Sequence, residues 1–180
     1  MDKTGTLTSG NLEVTDVIAV PGQDVAELRR LAAAAEAGSE HPVGQALAAL
    51  ANEDGARPAP GGGEVQAFVS VPGQGVRATI GGREVVVGRP ALLQSAGLTI
   101  PGHLDADRAR LESQGRTVVL AGWDGAARGA IAVADAAKPG AREAVAALKA
   151  IGMRVVMVTG DNATTAGAVA RQVGVDEVLA

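Results

Sequence analysis

The 180-residue chain has no cysteine, no tyrosine, one phenylalanine and one tryptophan. Without cysteine there is no disulfide framework and no thiolate metal site, a composition that fits a reducing compartment. With aromatics at 1%, the core has to be built from Val, Ala, Leu and Ile, and few rings exist to stack a nucleobase. Sixteen Lys and Arg against twenty Asp and Glu leave a net charge of -4, so nothing provides a basic footprint for nucleic acid. No signal peptide and no apolar run long enough to cross a bilayer can be read, and the chain reads as soluble. What is present suffices for a folded core: 47% of residues are hydrophobic and 20% charged, over a length that suits one large domain or two small ones.

Periodicity divides the chain. "DVAELRRLAAAAEAG" carries apolar residues at helical spacing and stops at Gly38, and "PVGQALAALA" places Pro42 in a first helical turn. "NEDGARPAPGGG" is dense enough in Pro and Gly to be a flexible loop. "EVQAFVS", "GVRATI" and "REVVVG" read as strands, the last two joined at Gly81-Gly82 as a hairpin. "PALLQSAG" and "HLDADRARLESQG" read as helices, the second polar and exposed. After "RTVVLAGWDG" the segments "GAIAVA", "PGAREAVAALKAIG", "RVVMVTG" and "NATTAGAVARQVG" alternate strand and helix, with the apolar strand runs of a buried parallel sheet. The expected fold class is α/β: an antiparallel sheet with flanking helices, inserted in a doubly wound unit.

Two short stretches carry chemistry. "MVTGDN" (157–162) sits where a parallel strand ends and a helix begins, the place where open α/β sheets bind ligands and helix N-termini favour anions. Thr159 offers a hydroxyl, Gly160 admits close backbone approach, and Asp161 or Asn162 can cap the helix. "MDKTGTLT" places Asp2 before Lys3, Thr4 and Gly5, which reads either as an exposed terminus or as a nucleophile in a phosphate-binding turn. "VPGQGVRATIGG" fails as a dinucleotide fingerprint, because its glycines open a β-branched run and not a helix.

Together these stretches resemble the P-type ATPases, cation pumps whose phosphorylation domain is of haloacid dehalogenase type, and the resemblance covers essentially the whole chain. It implies that Asp2 attacks the γ-phosphate of ATP, with Lys3, Thr4, Thr159, Gly160 and Asp161 completing the catalytic set and Asp2 and Thr4 facing Mg²⁺. Phosphatases of the superfamily carry a second aspartate as general acid where this chain has Thr4, which favours a long-lived phosphoenzyme. "GSEHPVGQAL" (38–47) resembles the SEHP motif of the heavy-metal branch, and Glu36 also matches that pattern. There the glutamate reads the adenine amino group and the histidine, His41 here, lies against the ring. Gly73 and Gly75 match a GxG that lets the nucleotide approach the backbone, and Gly88 matches a VGN-type stretch in which Arg89 replaces the usual asparagine. Asp135 and Lys138 match positions near the hinge and the phosphorylation site.

The resemblance thus implies an ATP-binding cytoplasmic portion of a heavy-metal pump, leaning towards copper, in an integral membrane protein. ATP and Mg²⁺ are the implied cofactors. The membrane and metal-binding domains of the parent chain are the implied partners, with no nucleic acid and no membrane insertion of this segment. The expected organisation is 1–11 as the start of the phosphorylation domain, 12–126 as the nucleotide-binding domain and 127–180 as part of the phosphorylation domain. A lysine and an aspartate pair that hold phosphate and Mg²⁺ in the family are expected beyond Ala180, so the segment is expected to bind ATP without being phosphorylated. Residues 1–11 and 127–180 are also expected to lack neighbouring strands. The rival readings are a soluble phosphatase of the same superfamily, disfavoured by Thr4, and a non-catalytic nucleotide-sensing or interaction module.

Overall fold

The computed structural model describes residues 1–53, 65–160 and 163–179, without the side chains of Thr4, Asn52, Glu53 and Ala136. Most of the expected Pro/Gly loop at 52–63, together with Asp161 and Asn162, lies outside the described residues.

Six strands form one antiparallel sheet: β1 (Thr8–Ala19), β2 (Val65–Val71), β3 (Gly75–Ile80), β4 (Arg83–Gly88), β5 (Thr117–Trp123) and β6 (Ala126–Ala137). Their order is β1-β6-β5-β4-β3-β2, with every neighbouring pair antiparallel. Turn chemistry sets the register. Gly81 and Gly82 both have positive φ, 57° and 80°, as a two-residue hairpin matched to strand twist demands. Asp124 and Gly125 do the same between β5 and β6.

Side-chain alternation then divides the sheet between two cores. Val85 and Val87 of β4 face α1 (Val25–Glu36) and α2 (Pro42–Glu53), where they meet Leu28, Leu31 and Leu47. Val86, between them, faces α3 (Pro90–Ser95) and α4 (Gly102–Ser113), with Leu93, Leu104 and Leu111. The Asp24 side chain caps α1 by accepting from the Ala26 amide at 2.9 Å, which satisfies an otherwise orphan donor. Strand β2, at the edge, is exposed almost throughout.

A smaller unit follows: α5 (Ala141–Ala150), β7 (Val156–Val158), α6 (Ala163–Val173) and β8 (Glu177–Leu179), with β7 and β8 parallel. Its core gathers Val145, Val155, Met157, Val169 and Val173 around Leu7. Gly115, in the turn after α4, seats α6: a Cβ there would stand 2.8 Å from the Thr165 Cα.

Three expectations change. "GAIAVA" is not in the parallel unit; it lies within β6, an inner strand of the antiparallel sheet. Its continuous apolar run reflects helices covering both faces of that sheet, a burial usually associated with parallel strands. Strand β1, which no periodicity signal had marked, pairs with β6 from Thr8↔Ala137 to Ala19↔Gly129. The outer segments have neighbours as well. The Met1 amino group donates to Val156 O at 2.6 Å, the Val158 amide donates to Met1 O at 2.8 Å, and Asp2 bridges Val158 in parallel. Residues 11 and 12 lie inside β1, and residue 126 is the first of β6.

Candidate functional site

A cleft of about 350 Å³ opens where the α1–α2 turn faces the β2–β3 turn. Glu36, His41, Gly73, Gly75 and Gly88, which are 52 residues apart along the chain at the extremes (36 to 88), all line it, with Arg89 beside them. Each is placed by local structure. Glu36 is the last residue of α1 and is 4% exposed. Burial raises its carboxyl pKa above the usual value, and a hydrogen bond from the Ser39 side chain works against that rise. His41 precedes α2, and its Nδ1 accepts the Val43 amide at 3.2 Å, so the proton of the neutral ring sits on Nε2. Carboxyl and ring are therefore held at the two ends of the same turn.

Glycine serves two purposes here. Gly75 and Gly88 face each other across β3 and β4. A Cβ on Gly75 would stand 2.2 Å from Val87 O, and one on Gly88 2.2 Å from Gln74 O, so only glycine lets the two backbones meet this closely in the floor of the cleft. Gly73, at φ +70°, has nothing within 4 Å and serves the turn. Gly44, which sequence reasoning passed over, also lines the cleft: a Cβ there would meet Ser39 Oγ at 2.3 Å and Glu36 Oε2 at 2.4 Å. A glycine inside a helix, where alanine is favoured, was the available signal. Arg89 caps α3 and its amide donates to Gln74 O at 2.8 Å, which ties the β2–β3 turn to β4.

Asp2 lies at the carboxyl end of the parallel unit, beside Thr159 and Gly160 at the end of β7. Its carboxylate accepts the Lys3 amide at 2.8 Å, at the start of a π-helical turn, Lys3–Leu7. Lys3 is buried, with Nζ 3.6 Å from Asp135 Oδ2. Asp135 in turn accepts from the Thr8 hydroxyl at 2.6 Å and from the Gly10 amide at 3.0 Å. The Lys138 ammonium donates to Gly5 O and its amide to Leu7 O at 2.9 Å. The pair Asp135 and Lys138 therefore holds both ends of the Asp2 turn, and Thr8 is the member that sequence reasoning did not single out. The Thr159 amide donates to Leu179 O at 3.0 Å. Asp161 and the Thr4 side chain lie outside what is described. Among the described residues, no group of three or more His, Asp or Glu gathers that could hold a metal ion.

A larger gap of about 670 Å³ separates the sheet from α6, lined by Lys3, Asp135, Arg116 and Thr165 among others. It holds none of Glu36, His41, Gly73, Gly75 and Gly88, so size alone does not decide between them.

The family model of the haloacid dehalogenase-like hydrolases matches residues 1–180, and the chain belongs to that family. Its close homologues are heavy-metal P-type ATPases. A probable copper-exporting P-type ATPase V of Mycobacterium tuberculosis is 49% identical over 180 residues, covering 99% of this chain and 23% of the relative. A zinc-transporting PIB-type ATPase in its E2.Pi state superposes with a TM-score of 0.85 at 32% identity, over 98% of this chain and 28% of that one. The N-domain of a copper-transporting P-type ATPase is matched over 99% of its length and 68% of this chain, at 30% identity and a TM-score of 0.55. The chain thus spans about a quarter of the length of the full relatives it matches. Among the described residues, no helix is long and apolar enough to cross a membrane.

Proposed function

We propose that this chain is the ATP-binding cytoplasmic portion of a heavy-metal P-type ATPase, and that the cleft between the α1–α2 and β2–β3 turns receives the nucleotide. The observation that carries the reading is the convergence of Glu36, His41, Gly73, Gly75 and Gly88 on one cleft, where Gly75 and Gly88 bring the β3 and β4 backbones together. A purine edge needs fixed acceptors and donors, and a phosphate chain needs backbone approach; this cleft offers both. Glu36 accepts from the adenine amino group, the His41 ring covers the base, and the glycine floor admits the sugar and phosphates.

P-type ATPases use ATP and Mg²⁺. In the whole protein we propose that Asp2 attacks the γ-phosphorus, forming an acyl phosphate as ADP leaves with the electron pair of the broken P–O bond. Lys3, Thr4, Thr159, Gly160 and Asp161 surround the transferred group, and Asp2 and Thr4 are the residues assigned to Mg²⁺, which neutralises phosphate charge. The Lys3–Asp135 pair supports this reading by locking the turn that presents Asp2. Nucleotide binding is the function proposed for the 180-residue chain itself; metal transport, copper as the cargo and contacts with membrane and metal-binding domains belong to the whole protein.

Calorimetric titration tests the reading. ATP is expected to bind in preference to GTP, and with modest affinity, since the contacts assigned here are mainly to the adenosine. Equal affinity for the two nucleotides, or no heat with either, overturns it.

A further inference from the structure

We infer that Phe68 is a positioning residue that sets nucleobase discrimination by clamping the α1–α2 turn, an inference that rests on the nucleotide reading above. Core filling does not account for this ring. It stands on β2, the outermost strand, and is 37% exposed. Phe68 pairs with Ala78, a residue of the core beneath α1 and α2, so the ring leans to the helix side of the sheet. Two residues on, Ser70 lines the cleft from the same face.

The ring rests on Gly38. A Cβ built there would lie 3.7, 3.7 and 3.8 Å from Cδ1, Cγ and Cδ2. Three adjoining atoms at one distance mean that the ring presents its face to the main chain. Gly38 does not have positive φ, so the turn itself does not demand glycine. A lone Cβ there would make ordinary van der Waals contact with the ring, so the ring closes over Gly38 and a larger side chain would displace it. Gly38 comes two residues after Glu36, just before Ser39 and three before His41. The bonds that shape this turn are local: the Ser39 amide to Glu36 O at 2.9 Å, and the Val43 amide to His41 Nδ1 at 3.2 Å. They give the turn its shape; the ring ties that shape to the sheet that carries the glycine floor. Discrimination between bases depends on where Glu36 and His41 stand relative to that floor, and Phe68 sets that distance without touching the ligand.

The test is titration of the 180-residue chain with ATP and with GTP, well below the melting temperature. Phe68→Ala should lower ATP affinity about tenfold while GTP changes little, so the preference for ATP collapses. Phe68→Leu, which keeps bulk over Gly38, should retain most of the preference. Gly38→Val should reproduce the loss with Phe68 intact, because its methyls occupy the space of the ring. A purely structural ring would lower the melting temperature and leave the ATP/GTP ratio unchanged, and that result overturns the inference. Should Phe68→Ala fail to fold, the Leu and Gly38→Val variants decide by the same ratio. Wild-type protein without ATP preference overturns the nucleotide reading and this inference together; wild-type preference that survives Gly38→Val and Phe68→Ala overturns this inference alone.

Discussion

Replacing Gly75 by alanine puts a methyl group where two backbones already meet. The residue has φ +139°, and the new Cβ would stand 2.2 Å from Val87 O and 2.5 Å from the Gly88 Cα. The obstacles are main-chain atoms, so no side chain can swing away; β3 and β4 must part at the Gly75↔Gly88 pair. Backbone strain of this kind costs about 1–3 kcal/mol, and losing a ladder hydrogen bond adds about 1 kcal/mol. The total comes to about 3 kcal/mol. Gly73→Ala is the matched control, since its Cβ meets nothing within 4 Å. It carries only the left-handed cost of about 1–2 kcal/mol. For a chain of this size each kcal/mol moves the midpoint about 2–4 °C, so the two variants should differ by several degrees. Trp123, the one tryptophan, is 2% exposed in β5 and reports unfolding of this sheet by fluorescence. ATP titration supplies the second axis: Gly73→Ala should lose affinity with the smaller loss of stability of the two, because Gly73 lines the cleft and its Cβ meets no other atom. Equal melting points for the two variants would refute the reasoning about the glycine floor.

Glu36 carries the pH dependence. Its folded pKa is raised by burial, so the stability linked to it is fully present below about 4.5 and is lost as the pH rises through the raised folded value. Glu36→Gln should therefore be more stable than wild type at neutral pH and show a flatter pH profile above 4.5, while binding ATP more weakly; urea titrations across pH would count against this if the variant were less stable at pH 7. His41→Ala should weaken ATP about tenfold, or roughly 1–2 kcal/mol, by calorimetry, and unchanged affinity removes the ring from the site. Asp135→Ala removes the carboxylate 3.6 Å from the buried Lys3 ammonium, and also the acceptor for Thr8 and Gly10. A loss of about 3 kcal/mol is expected in denaturant unfolding, and an effect below 1 kcal/mol would show that the pair does not lock the Asp2 turn.

Much of this molecule was decided along the chain. Helical spacing in "DVAELRRLAAAAEAG", the Asp24 cap and the glycine hairpin at 81–82 are local features, and each formed where the residues place it. The residues that converge on the cleft were also legible, because Glu36, His41 and the glycines each sit in a short recognisable stretch. What the chain could not show is which partner lies across the sheet. An apolar run such as 129–134 looks the same in a parallel sheet and in an antiparallel one covered on both faces; the helix pairs α1–α2 and α3–α4, brought from elsewhere in the chain, decided for the second. Strand β1 gains its regularity only from β6, more than a hundred residues on. The same holds for chemistry. Lys3 meets Asp135, Arg116 meets Asp16, and Phe68 lies on Gly38, because tertiary packing delivers side chains to one another across distances along the chain at which no sequence period operates. Local residues set the backbone's preferences within a turn or a strand; burial on two faces at once, which only the assembled layers create, set the pairing.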